Sequence, residues 1–185
     1  GLGGSAISTY MQRAAEVLER DDLLILRLNM RGADRSGVGV YHAGLYDEII
    51  AAIGDPLFSR IERVFLFGYS MGGHTAMRLA ALDPPTKLRG VMSICSPVDL
   101  AAGCRAIDAP SRNLYRLHVL KGLKEIYAAT AERRDELPAP LEEVLRIERI
   151  RDWDELVITR EFGFESPEDY WESVGVGPHL PSIEI

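Results

Sequence analysis

Val64-Phe-Leu-Phe-Gly-Tyr-Ser-Met-Gly-Gly73 is the stretch on which the fold turns. Four apolar residues run into Gly68, and Gly68, Tyr69, Ser70, Met71 and Gly72 spell G-x-S-x-G. A short buried strand before this motif and a small-residue helix after it are the context in which a sharp bend lifts a serine hydroxyl above a sheet edge. The bend forces the serine into an unfavourable backbone conformation. Side chains two positions to either side would then crowd each other, so glycine is expected at 68 and 72. Ser70 is the candidate nucleophile, at the start of a helix whose dipole favours developing negative charge. The competing reading is a glycine-rich turn with an incidental serine.

Outward from the bend, the first half alternates helix and strand. Residues 6–20 place Ile7, Met11, Ala14, Val17 and Leu18 at helical spacing, and residues 23–30 form a near-continuous apolar run expected of a strand covered on both faces. Residues 43–53 carry Leu45, Ile49 and Ile53 on one side of a predicted helix, ended by Gly54-Asp-Pro56. A strand over 64–67, a helix over 72–82 stopped by Pro84-Pro85, and a strand over 88–95 follow. This alternation predicts an α/β fold, with a mostly parallel sheet and flanking helices on both faces. After Pro97 only helical patterns continue to about Tyr170, and Ser166-Pro-Glu-Asp169 is a helix start with serine as the cap. The expected organisation is an α/β core over 1–100, a helical lid over 101–181, and the beginning of another core strand over 182–185.

Gly1-Leu-Gly-Gly4 is the second informative element. No Gly-Lys-Ser/Thr follows it, which excludes a P-loop, and a dinucleotide fingerprint would need a preceding strand, which the sequence does not show. With a bend serine downstream, it reads as an oxyanion loop in which the backbone N–H groups of Leu2 and Met71 converge; a plain loop before the first helix is the alternative. Composition narrows the partners. The net charge of −7, with both signs interspersed over 185 residues, argues against nucleic acid. The most basic window, Arg112 to Lys124, reads as a solvated helix face. No apolar run reaches the roughly 20 residues of a membrane span, and the opening residues do not form a signal peptide. Cys95 and Cys104 match no zinc spacing, so no metal is expected, and a reducing cytoplasm is the expected compartment.

Taken in order, Gly1-Leu-Gly-Gly-Ser5, Leu28-Asn-Met-Arg-Gly32, Tyr41-His-Ala-Gly44, the bend, Ser96-Pro-Val-Asp-Leu100 with Cys104, Trp153-Asp-Glu-Leu156, Phe162-Gly-Phe164 and Tyr170-Trp171 resemble the YheT-like branch of the α/β-hydrolases. The resemblance implies a cofactor-free serine hydrolase of carboxylic acyl esters, lipid-like ones among them. Some relatives are similar to acyltransferases that use the same serine; a non-catalytic protein on the same fold is a further reading. It also implies that the acid and histidine of the triad lie beyond residue 185, and that strands ahead of the oxyanion loop are missing, leaving a gap in the sheet. The chain is therefore expected to be a fragment, inactive alone. Within the chain, His42, His74, His118 and His179 read as packed, capping or surface residues. Asp99 reads as a turn or helix cap rather than an acid, and Arg31 as a brace held by a buried ion pair. Leu114, Leu117, Leu123 and Tyr127 are lid lining or lid core. Nothing in the sequence fixes an oligomeric state.

Overall fold

The structure, a computed structural model, describes residues 1–19 and 23–185. Strand β1 (Val64–Tyr69) pairs in parallel with strand β2 (Leu88–Ile94), from Val64 opposite Leu88 to Tyr69 opposite Ile94, with a slip after Val64. Parallel strands need a crossover, and here it is helix α3 (Met71–Leu82). Its inward face is mostly small, with Gly73, Thr75 and Ala76 buried beside Leu79, so the helix lies close on both strands. Full burial of Leu79 makes a Leu79→Ala change cost about 2–5 kcal/mol.

The rest of the first half departs from its expected outline. Residues 23–30 form no strand and no helix, and Leu23, Leu24 and Leu26 are exposed. An apolar run becomes a strand only when a neighbour takes its backbone hydrogen bonds, and this segment pairs with neither strand of the two-stranded sheet of β1 and β2. A groove of about 250 Å³ lies between this segment and β1. The first helix, α1, spans Thr9–Leu18 rather than 6–20, and residue 20 lies outside the described residues. None of the α1 residues is buried, and Ile7 and Val17 face solvent. The sheet face away from α3 leaves Phe65 and Met92 exposed, so the expected cover on both faces is partial.

Helix α2 begins at Asp47, four residues later than the spacing suggests, and ends at Gly54. The Gly44 N–H is already engaged by His42 Nδ1, and the Leu45 N–H by the His42 carbonyl, so residues 42–45 form a turn. Asp47 and Glu48 then supply the negative first turn that a helix favours.

The second half is helical, as its pattern indicates. Helices α4 (Leu100–Asp108), α5 (Asn113–Ala131) and α6 (Leu141–Arg146) precede a longer rod. That rod runs through α7 (Ile150–Trp153), a π-helical segment (Asp154–Ile158) and α8 (Thr159–Phe162), and ends at Gly163 in the left-handed region. Helix α9 (Pro167–Val174) starts where the sequence predicts: Ser166 accepts from the Asp169 N–H at 3.1 Å, and Asp169 accepts from the Glu165 N–H at 3.0 Å. The strand expected over 182–185 is absent, since Ser182 closes a 3-10 turn that starts at Gly177.

The principal core lies among these helices. Val119, Leu120, Leu123, Ile126 and Tyr127 of α5 pack with Val144, Ile150, Trp153, Val157 and Ile158, and the cluster reaches Tyr41, Ala43 and Met71. It thereby spans the boundary expected at residue 100. No described helix is long and apolar enough to cross a membrane.

Candidate active site

Ser70 caps α3 with φ 51° and ψ −126°, a strained conformation for a residue with a side chain. Neighbouring backbone holds it there. Its N–H donates to the Ile94 carbonyl at 2.8 Å, and its carbonyl accepts from the N–H groups of Gly73 at 3.0 Å and His74 at 3.2 Å. The side chain is half-buried, and among the described residues none donates to or accepts from its Oγ. A Cβ at Gly68 would meet the Gly72 carbonyl and Gly73 Cα at 2.5 Å, so the crowding argument holds there. It fails at Gly72, where a Cβ would meet nothing within 4 Å. The second position that needs glycine is Gly73, whose Cβ would strike the hydroxyls of Ser93 and Ser96.

The Gly1–Gly4 loop lies alongside: a Cβ on Gly1 would be 3.6 Å from Ser70 Cβ. Tyr41 fixes this loop by accepting the Gly3 N–H at 2.9 Å, and Gly3 sits at φ 72°. Burial pushes the Tyr41 phenol up to about 12, so it remains a neutral hydroxyl. Arg35 donates to the Gly3 carbonyl at 3.3 Å, and Asn29 accepts from the Ala6 N–H at 2.7 Å. On the far side Gly122 of α5 comes so close that a Cβ there would overlap the Gly3 carbonyl. The N–H groups of Leu2 and Met71 donate to no described residue.

Leu2, Ser70 and Met71 line one cavity of about 290 Å³. Its walls are Cys95, Ser96 and Pro97 after β2, Leu100 and Cys104 of α4, Tyr115 of α5, and Trp153, Asp154, Tyr170 and Trp171 from the later helices. Cys95 is exposed, free and also at positive φ, 52°. Tyr115 replaces the lining expected from its neighbours: Leu114 and Leu117 turn outward, 85% and 50% exposed, while Leu123 and Tyr127 are core.

The four histidines stand as follows. His74 is fully buried, with Nδ1 2.8 Å from the Pro97 carbonyl and Nε2 3.0 Å from the Val174 carbonyl, so it ties α3 to the segment after β2 and to the end of α9, and both ring nitrogens are engaged away from Ser70 Oγ. His42 lines the serine cavity but is gripped edge-on by Phe162, Phe164 and Tyr170. Burial, with Arg78 and Arg31 adding, pushes its imidazole down to about 4, which makes it a weak base. His118 is exposed on α5 and His179 is half-buried in the last 3-10 turn. Asp99 accepts from the Ala102 N–H at 2.8 Å and caps α4, the role its position indicates. Arg31 does pair with Glu48, at 3.1 Å, but its side chain is 42% exposed, so the expected burial is absent and the pair is a surface one.

One site group was not expected from the sequence. Asp154, at the first position of the π-helical segment, is 7% exposed and accepts from Trp171 Nε1 at 2.8 Å. Burial raises its carboxyl to about 7; Asp108 adds to the rise, while the Trp171 bond and Arg151 oppose it. The signal was present as an acid on the stripe of Ile150, Trp153, Val157 and Ile158, all buried.

No curated protein and no solved structure matches the chain. A family model described as alpha/beta hydrolase fold matches residues 1–115, which hold the Gly1–Gly4 loop, the bend and both strands.

Proposed function

The chain belongs to the alpha/beta hydrolase fold family, and from that premise we propose that it is a serine-dependent hydrolase of carboxylic acyl esters, acting through an acyl-enzyme on Ser70. The observation that carries this reading is the strained serine at a strand-to-helix turn, sharing a cavity with two uncommitted backbone donors. Ser70 Oγ attacks the ester carbonyl as a base takes its proton. The carbonyl oxygen becomes an oxyanion between the N–H groups of Leu2 and Met71, donors that need no reorganisation. Collapse breaks the bond to the alcohol oxygen, which leaves with that proton, and water then releases the acid. No described histidine bonds to Ser70 Oγ, and the resemblance to the YheT-like branch assigns the base to a histidine outside these residues, paired with an acid. The cavity between the bend and the helical region receives the substrate, and the helices over 101–181 act as its lid.

Rapid quenching with p-nitrophenyl butyrate, in the protein that carries this histidine and acid together with these residues, tests the proposal. One equivalent of nitrophenol should be released in a burst, with a butyryl mass on the peptide containing Ser70. A burst without that adduct, or hydrolysis unchanged in Ser70→Ala, would refute it.

A further inference from the structure

Asp154 is the acidic residue in the lining of the Ser70 cavity. Most of the lining is apolar or aromatic, as in binding sites where a few placed polar groups set orientation. One carboxylate oxygen of Asp154, Oδ2, is occupied by Trp171 Nε1. The other, Oδ1, accepts from no described residue and keeps some surface, on a side chain that lines the cavity. A carboxylate this deeply buried with half its acceptor capacity unused is costly to the fold unless something uses it. The backbone adds an independent pointer, because π-helical turns inside α-helices recur at functional sites, and this one begins at Asp154.

We propose that Asp154 is a specificity-determining residue of the Ser70 cavity, whose free oxygen receives a hydrogen-bond donor, a hydroxyl or an ammonium, carried by the substrate away from its ester carbonyl. The proposal deepens the assignment of Ser70 as nucleophile and rests on it. An unsubstituted alkyl chain would cover Oδ1 without bonding it, whereas a donor-bearing chain would satisfy it, so the discrimination comes from the penalty on the wrong ligand as much as from the bond to the right one. Around the carboxylate stand Trp171 and Tyr170 of α9, Cys104 and Asp108 of α4, and Arg151 of α7. None of these donates to Oδ1. With its carboxyl near 7, Asp154 is ionised at mildly alkaline pH and then acts as acceptor only.

The test is binding rather than turnover. Short linear carboxamides, unreactive analogues of the ester, are compared by calorimetry at about pH 8 in matched sets: ω-hydroxy, ω-amino and unsubstituted. In the wild type a donor-bearing amide should bind roughly ten- to a hundredfold tighter than its unsubstituted parent. The ω-hydroxy and ω-amino arms show which donor is read. Asp154→Asn keeps an acceptor for Trp171 and should lose most of the ω-amino preference, and Asp154→Leu should abolish both. Equal binding within each set, no binding of any, or a preference that persists in Asp154→Leu overturns the proposal. Ser70→Ala should retain the preference, so an error in the nucleophile assignment shows up in the burst experiment and not here.

Discussion

Replacing Asp154 with asparagine should remove a pH-dependent weakness from the fold. The carboxyl stands at about 7 in the folded protein against an ordinary 3.8, chiefly because burial strips its hydration. Between these values the folded state holds a proton that the unfolded chain has released, so stability is fully present below pH 3.8 and is lost as pH rises towards 7. At about 1.4 kcal/mol per pH unit the whole interval amounts to roughly 4 kcal/mol, a ceiling that relaxation and water entry reduce to about 2–4 kcal/mol. Asparagine is neutral throughout, similar in size, and can still accept from Trp171 Nε1. The assay is urea denaturation of wild type and Asp154→Asn at about pH 4.5 and pH 8, followed by tryptophan fluorescence. The two proteins should be close at the acidic pH, and the variant should gain about 2–4 kcal/mol on the wild type at the alkaline one. Groups elsewhere cancel in the difference. A gap of equal size at both values would refute the desolvated carboxyl.

Gly122→Ala should push α5 off the Gly1–Gly4 loop, because its Cβ overlaps the Gly3 carbonyl; a loss of about 1–3 kcal/mol in urea melts is expected from overpacking, and about a hundredfold fall in kcat if Leu2 is displaced as a donor. Gly68→Ala and Gly72→Ala form a contrasting pair. The first drives a methyl into the α3 backbone at 2.5 Å and should cost more than 1 kcal/mol. The second meets open space, and in a helix alanine gains up to about 1 kcal/mol over glycine; a large loss at 72 would contradict the geometry. The His42 imidazole should remain neutral until about pH 4, read as the midpoint of its NMR titration, and a midpoint near 6.5 would mean that the ring is hydrated rather than packed against Phe162 and Tyr170.

What could be read from the sequence follows how local each constraint is. The bend around Ser70 is fixed in large part by contacts among residues 68–74, with Ile94, Ser93 and Ser96 of the neighbouring strand and its end adding to them, so its motif announced both the turn and the elements on either side. The Asp99 and Ser166 caps are local in the same way, and both were legible. Residues 23–30 failed because a strand is a property of a pair, and composition says nothing of whether a partner is in place. The late start of α2 turns on His42 Nδ1 and its carbonyl capturing two backbone donors, which helical periodicity does not register. Leu114 and Leu117 share their helix with the buried Leu123 and Tyr127, and only the three-dimensional course of α5 decides that its first turns project into solvent while Tyr115 reaches the cavity. Tyr41 and Asp154 act across 38 and 17 residues, on Gly3 and Trp171 respectively. Tyr41 carried no mark of its role, but an acid on an otherwise apolar helical stripe was a sign that could have been taken.

Fluorophosphonate labelling of the protein that carries the triad histidine and acid together with these residues, followed by peptide mass spectrometry, tests the central claim most directly. The account predicts a phosphonyl adduct on the peptide carrying Ser70, absent from Ser70→Ala and weakened when Gly122→Ala displaces the oxyanion loop. An adduct on another residue, or one that survives Ser70→Ala, would contradict it.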